Sequence, residues 1–217
     1  MITRYGYGTI GVVIVFAIVL ATLGHFIQDS VPILAYLFLG MGIFSVLFAL
    51  QFFRDPERTP KETRNVVISP ADGKVVLVQE VEHHPYFNGK AKMVCIFMSP
   101  INVHVNRNPI SGKINHMKYI EGEFIAAFDH TSGEKNERTE IGIENDRIKV
   151  FFKQISGFVA RRIVCDLSVG DDVMIGERFG MIRFGSRVDM FLPPEVSIEV
   201  KLGQHASAGE TIIARYA

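Results

Sequence analysis

Two uncharged, almost wholly apolar runs, Gly8 to Ile27 and Val31 to Phe53, constrain this chain more than any other feature. Each is about 20 residues long, enough for an α-helix to cross a hydrocarbon layer roughly 30 Å thick. Only Gln28-Asp29-Ser30 separates them, so residues 1–53 read as a tight transmembrane helical hairpin. Pro32 suits the first turn of the second helix, where a missing N–H costs little. Both spans are too long for a signal-peptide core, and no small-residue cleavage site follows the first. Arg4 precedes the hairpin, Arg54, Arg58, Lys61 and Arg64 follow it, and the intervening loop carries no cation. That asymmetry predicts a cell-membrane protein with both ends cytoplasmic. Residues 54–65, which include Arg54-Asp55-Pro56-Glu57-Arg58-Thr59-Pro60, form a charged juxtamembrane linker that keeps the rest of the chain within reach of lipid headgroups.

Residues 66–217 change character. Short β-branched runs recur at Val66–Ile68, Lys74–Gln79, Met93–Met98, Val103–Val105, Lys113–Tyr119, Arg147–Gln154, Phe158–Cys165, Arg178–Phe184, Val196–Leu202 and Thr211–Arg215. Asp72-Gly73, Asn88-Gly89 and Ser111-Gly112 punctuate them as turns. This spacing predicts a mainly β fold, a barrel-sandwich-like antiparallel domain and α+β at most, with a single helix around Glu121 to Ala127. Val169-Gly170 precedes Gly176-Glu177, and Leu202-Gly203 precedes Gly209-Glu210 at the same interval, a weak internal repeat. Such hairpins look like halves of a lipoyl-type domain, but neither tip offers the lysine a carrier needs. Acidic and basic residues balance at 23 each, which argues against a nucleic-acid partner. Cys95 and Cys165 sit singly in apolar runs, as reduced core thiols do, and suggest no metal.

Three residues could carry chemistry. Ser186, behind Gly185 in Arg183-Phe184-Gly185-Ser186-Arg187, is a candidate nucleophile, but a serine hydroxyl needs a base. His104 in Asn102-Val103-His104-Val105-Asn106 alternates with valines and is expected on the polar face of a strand. Asp72, in a Ser69-Pro70-Ala71-Asp72-Gly73 turn, could orient that imidazole. The residues alone leave open a membrane-tethered serine hydrolase using Asp72, His104 and Ser186, and a non-enzymatic barrel-sandwich adaptor. The surroundings of Ser186 do not match the GxSxG elbow of hydrolases. Arg161 and Arg162, with Arg178, Arg183 and Arg187, offer guanidinium forks for a phosphate or carboxylate.

The hairpin, the Phe52-to-Arg58 linker, the Ser69-to-Gly73 turn, the His104 strand, Lys153 to Val164 and Phe184 to Pro193 occur in an order that resembles the short, membrane-anchored form of the phosphatidylserine decarboxylase family. The resemblance covers nearly the whole chain. It implies a proenzyme that cuts itself between Gly185 and Ser186. Ser186 would become a covalent pyruvoyl cofactor, with His104 as acid/base and Asp72 as its partner. It implies a lyase of phospholipid biosynthesis that decarboxylates a serine-headgroup phospholipid, phosphatidylserine or its ether counterpart archaetidylserine. The two cleaved chains would stay associated, with room for a homo-oligomer. One departure stands out: the long form carries a second histidine where Arg107 stands here. Asn136-Glu137-Arg138 also resembles a family motif, with no role assigned.

Overall fold

Apolar helices build the first of the chain's two units, Met1–Glu57, and strands build the second, Arg58–Ala217. A computed structural model describes residues 1–123, 125, 132–157, 162–183 and 185–217. In the first unit, α1 (Tyr7–Ile27) and α2 (Pro32–Phe52) are each long and apolar enough to cross a membrane. Small residues let them approach. A Cβ on Gly24 would lie 3.1 Å from the Ala35 carbonyl oxygen, and one on Gly42 would lie 3.4 Å from Ala17. The hydroxyls of Thr22 and Ser45 donate to the carbonyls of Ile18 and Met41, so neither is left unsatisfied in an apolar surround. The ends of the hairpin are tied together, Thr3 N donating to the Phe53 carbonyl at 2.9 Å and Asp55 N to the Met1 carbonyl at 2.7 Å.

The second unit contains β1 (Val66–Ile68), β2 (Gly73–His84), β3 (Gly89–Met98), β4 (Val105–Arg107), β5 (Gly112–Ile120), the one-turn helix α3 (Ser132–Lys135), β6 (Arg138–Glu144) and β7 (Lys149–Ile155). It continues with β8 (Ile163–Cys165), β9 (Asp172–Val173), β10 (Arg178–Ile182), β11 (Ser186–Leu192), β12 (Ser197–Ile198), β13 (His205–Ala206) and β14 (Ile212–Arg215). An 8-stranded sheet runs β13-β2-β3-β11-β7-β6-β5-β9, and two 3-stranded sheets run β1-β14-β12 and β4-β10-β8. Every pairing between these strands is antiparallel. The fold is mainly β, as the spacing of turns and β-branched runs predicts.

The large sheet is a palindrome. β2 and β3 correspond to β5 and β6, β13 to β9, and β11 to β7, about an axis between the two central strands. Registers agree: Lys74↔Phe97 and Val75↔Ile96 match Lys113↔Glu144 and Ile114↔Ile143, and both pairs bulge at the next residue. Lys74↔His205 and Gly73↔Ala206 match Lys113↔Asp172 and Gly112↔Val173. The small sheets correspond likewise, β1-β14-β12 to β4-β10-β8. The C-terminal repeat seen in the sequence is therefore half of a duplication. Its other half is Ser69-Pro70-Ala71-Asp72-Gly73-Lys74-Val75 against Asn108-Pro109-Ile110-Ser111-Gly112-Lys113-Ile114. The shared glycines have a steric cause: a Cβ would stand 2.1 Å from the Phe97 oxygen at Gly73 and 2.3 Å from the Glu144 oxygen at Gly112.

One core serves both halves, with Val75, Ile96, Val188 and Met190 packed with Ile114, Ile143, Val150 and Phe152. Three expectations need correction. Residues 121–123 are not helical: Glu123 forms a bridge with Asn136, and residues 124, 126 and 127 lie outside the described residues. The strand expected at Val103–Val105 begins instead at Val105. β6 and β11 were not expected, because their charges break the apolar signal: half-buried Arg138 and Glu140 pair with each other, as do buried Arg187 and Asp189.

Candidate active site

Gly185 and Ser186 occupy the crossing from β10 in one sheet to β11 in another. Gly185 has φ +57, in the left-handed region that favours glycine, and a Cβ there would meet nothing within 4 Å among the described residues. Ser186 opens β11 opposite Met98 and is fully buried. Its Oγ lies 3.3 Å from Met98 Sδ, a weak acceptor that stabilises the hydroxyl little. Val188, Met190 and Leu192 share the core-facing side of β11 with Ser186. Arg187, Asp189 and Phe191 face the other way, into a cavity of about 670 Å³, so that cavity lies across the sheet from the serine side chain.

His104 is also fully buried, not on a polar strand face; Val103, Val105 and Asn106 beside it are buried as well. Its Nδ1 is 2.9 Å from the Asn102 carbonyl oxygen. A carbonyl can only accept, so Nδ1 carries the proton and Nε2 presents the lone pair, the form a general base requires. Asn102 holds this turn through its own Oδ1, which accepts from Ser99 N at 2.9 Å and Ser99 Oγ at 2.7 Å. Ile182 N donates to the His104 carbonyl at 3.4 Å. His104 is thereby joined to the strand that leads into Gly185.

Asp72 does not form the expected pair with His104. Arg58 grips both of its carboxylate oxygens, with Nη2 to Oδ2 at 2.9 Å, and Ala208 N donates to Oδ1 at 2.8 Å. The duplication explains the second contact: Ser111, the counterpart of Asp72, accepts from Ile175 N, the counterpart of Ala208, at 2.9 Å. A turn carboxylate beside backbone N–H groups and a guanidinium finds its partners locally. Arg107, where the long form has a histidine, is buried and donates to the Gly176 carbonyl at 2.9 Å.

Arg161 lies outside the described residues. Arg162 is exposed, and its carbonyl accepts from Arg183 N at 3.3 Å. Burial, and then the neighbouring Arg162 guanidinium, hold Arg183 below its ordinary pKa. This clustered positive charge lies one residue past Ile182, on the approach to the Gly185–Ser186 bond.

A second polar centre was not anticipated. Asn136 is fully buried, and its Nδ2 donates to the carbonyls of Ile125 and Ser156, both at 2.7 Å, while Oδ1 accepts from Ile125 N at 3.0 Å. Ser156 follows Ile155, the ladder partner of Arg187, so this amide braces the neighbourhood of Ser186. Gln154, also buried, donates to Asn106 Oδ1 at 2.9 Å, and Asn106 donates to the Pro70 carbonyl at 3.2 Å. The only sequence signal for the first centre is Asn136-Glu137-Arg138 itself. The cysteines are inert by environment: burial raises the thiol pKa of both, that of Cys165 to about 11.

The sequence profile described as phosphatidylserine decarboxylase matches residues 46–214. The phosphatidylserine decarboxylase proenzyme of Chlorobium limicola is 51% identical over 217 residues, covering 100% of both chains. That of Chlorobium luteolum is 50% identical over 217 residues, again covering 100% of both. That of Chlorobaculum tepidum is 46% identical over 215 residues, covering 99% of this chain and 97% of its own. End-to-end likeness at this level extends through the hairpin, the duplicated sheet and the Gly185–Ser186 crossing alike, and the chain belongs to the phosphatidylserine decarboxylase family.

Proposed function

We propose that this chain is a self-processing, pyruvoyl-dependent carboxy-lyase that converts phosphatidylserine to phosphatidylethanolamine and CO2. The observation that carries the reading is the Gly185–Ser186 crossing: a glycine at φ +57 precedes a buried serine whose hydroxyl is only weakly held. Nucleophile and carbonyl belong to adjacent residues, so the attack is intramolecular. Ser186 Oγ attacks the Gly185 carbonyl carbon, the C–N bond between the residues breaks, and the hydroxyl proton passes to the freed nitrogen. The product is an ester. Loss of the Ser186 α-proton then expels the Gly185 carboxylate and leaves a dehydroalanine terminus. That terminus takes up water, releases ammonia and becomes the pyruvoyl group. His104 Nε2 is the group we assign to carry these protons, in the tautomer its Nδ1 contact favours.

The pyruvoyl group supplies the electrophilic carbonyl that engages the substrate amine and accepts the electron pair left by departing CO2. Residue 186 fits that task, since its fully buried position keeps water from the reacting centre. Arg162 and Arg183 recognise the phosphate or carboxylate of the serine headgroup through guanidinium forks. His104 returns a proton to the substrate α-carbon. Asp72 contributes as a positioning residue, holding Arg58 and the Ala208 turn. The helical hairpin anchors the enzyme in the membrane that holds its substrate, with the second unit on the cytoplasmic side by the distribution of flanking cations. The two cleaved chains stay associated, because β11 in the small chain lies between β3 and β7 of the large one.

Intact mass of the purified protein, beside Ser186→Ala, tests this. Two chains divided after residue 185, the smaller blocked at its N-terminus and reactive to borohydride, support the proposal. An uncut chain in wild-type protein that still decarboxylates phosphatidylserine rejects it.

A further inference from the structure

The duplication provides a counterpart to the active site in the other half of the domain. β4 corresponds to β1, which sets His104 against Asn65. β11 corresponds to β7, which sets Gly185 and Ser186 against Arg147 and Ile148, and β10 corresponds to β14, which sets Ile182 against Tyr216. Hydrogen bonds repeat accordingly: Tyr216 N donates to the Asn65 carbonyl at 3.0 Å, as Ile182 N does to His104. Asn145 N donates to the Ile148 carbonyl at 3.0 Å, repeating the pairing of Met98 with Ser186. The positions of His104 and Gly185 have counterparts in direct contact, Arg147 Nη1 donating to Asn65 Oδ1 at 2.6 Å.

The chemistry there is different. β6 and β7 are closed by a tight turn, in which Asn145 Oδ1 accepts from the N–H groups of Arg147 and Ile148, both at 3.0 Å. A cavity of about 590 Å³ remains, lined by Thr63, Arg64, Asn65, Arg147 and Tyr216. It is rich in donors and poor in acceptors. Among the described residues no carboxylate lies within ion-pair distance of Arg64 or Arg147, and the nearby Glu62 is already held by both Arg215 nitrogens, at 2.6 and 3.0 Å. The Arg147 guanidinium uses one donor on Asn65, which fixes its plane and leaves further N–H groups for a ligand. Two guanidiniums with hydroxyls at Thr63 and Tyr216 match a tetrahedral oxyanion better than any cation or apolar group.

We propose that this counterpart cavity binds a phosphate group, in a site separate from the one that holds the substrate. The group belongs either to an anionic phospholipid or to a soluble phosphate. The membrane is within reach along the chain: Arg64 follows the end of α2 by a linker whose extended span is at most about 3.5 Å per residue. The duplication and the charge pattern carry this assignment, which holds whether or not Ser186 is processed.

The test uses the full chain in a neutral detergent, titrated calorimetrically with inorganic phosphate and, separately, with dihexanoyl-phosphatidylglycerol, which has no amine to react. Each guanidinium–phosphate contact contributes about tenfold or more to affinity, so Arg64→Gln weakens binding by about that factor and Arg64→Gln with Arg147→Gln weakens it further. Arg64 is exposed and makes no hydrogen bond among the described residues, so self-cleavage and the melting temperature should not change in Arg64→Gln. Loss confined to the lipid probe assigns the site to headgroups. Loss for both probes assigns it to soluble phosphate as well. Binding of both probes unaltered in the double variant, or no saturable binding of either to wild type, overturns the proposal. Repeating the titration on Ser186→Ala separates this result from the fate of the decarboxylase reading.

Discussion

Arg58 and Asp72 form a two-pronged ion pair, and Arg58 Nη1 also donates to the Ala208 carbonyl at 2.9 Å while Asp72 receives the Ala208 N–H. The first residues of the second unit are thus fastened to the turn before β14. Both side chains are 11% exposed, so removing one partner strands the other. Asp72→Asn is expected to cost about 3 kcal/mol of stability. Self-cleavage should slow roughly in proportion, and Arg58→Met should do the same. Abolished cleavage in an Asp72→Asn chain that melts like wild type would instead place Asp72 directly in the proton transfer.

Among the described residues a methyl group on Gly185 would hit nothing, so its substitution tests chiefly the backbone. Gly185→Ala must adopt φ +57 at a cost of about 1–2 kcal/mol. Cleavage should slow about tenfold without stopping, and Gly185→Asn should fall between, since asparagine tolerates that region better. Time courses of chain splitting after purification of the uncut precursor would read this. Equal rates for Gly and Ala would mean that the left-handed turn is no part of the reaction.

Asn136 donates to two carbonyls at 2.7 Å, and Asn136→Asp would set a carboxylate oxygen against them. A buried, repelled charge costs about 3 kcal/mol or more. Because Ser156 neighbours the ladder partner of Arg187, cleavage should fall much further in Asn136→Asp than in Asn136→Ser at matched stability. A pair of variants that lose cleavage and melting temperature in strict parallel would reduce Asn136 to a fold residue.

His84 packs against Phe151 and Phe191 with ring centroids at 5.0 and 4.3 Å. Burial first, and then the Lys153 charge, hold its pKa down from 6.5 to about 4. The folded chain therefore resists a proton that the unfolded chain accepts. This contribution to stability is complete above about pH 6.5 and is lost as pH falls toward about 4. Melting temperatures measured across that window should decline in wild type and decline less in His84→Phe. Parallel curves for the two proteins would remove His84 as the cause.

Local signals made much of this protein legible. The hairpin could be read because membrane spanning depends on length and apolarity, both properties of contiguous residues. Most of the strands were visible through β-branched runs between Gly-bearing turns. β6 and β11 were hidden, because Arg138, Glu140, Arg187 and Asp189 neutralise one another only after the sheet has formed. The duplication showed in sequence only at Gly170, Gly176, Gly203 and Gly209. Its other half shares a Pro, a Gly and a Lys, and hydrogen bonding rather than side-chain identity reveals it.

Ser186, His104 and Gly185 stood out as candidates through the order of several separated motifs that resemble one family, since residue type alone left a hydrolase and an adaptor equally open. Tertiary structure alone determined their surroundings. It buried His104, placed its Nδ1 on the Asn102 carbonyl, gave Asp72 to Arg58, and brought Asn136 beside the ladder that holds Ser186. The reason is physical: a motif specifies which groups are present, whereas hydrogen-bond partners are settled by which distant segments a sheet brings within about 3 Å.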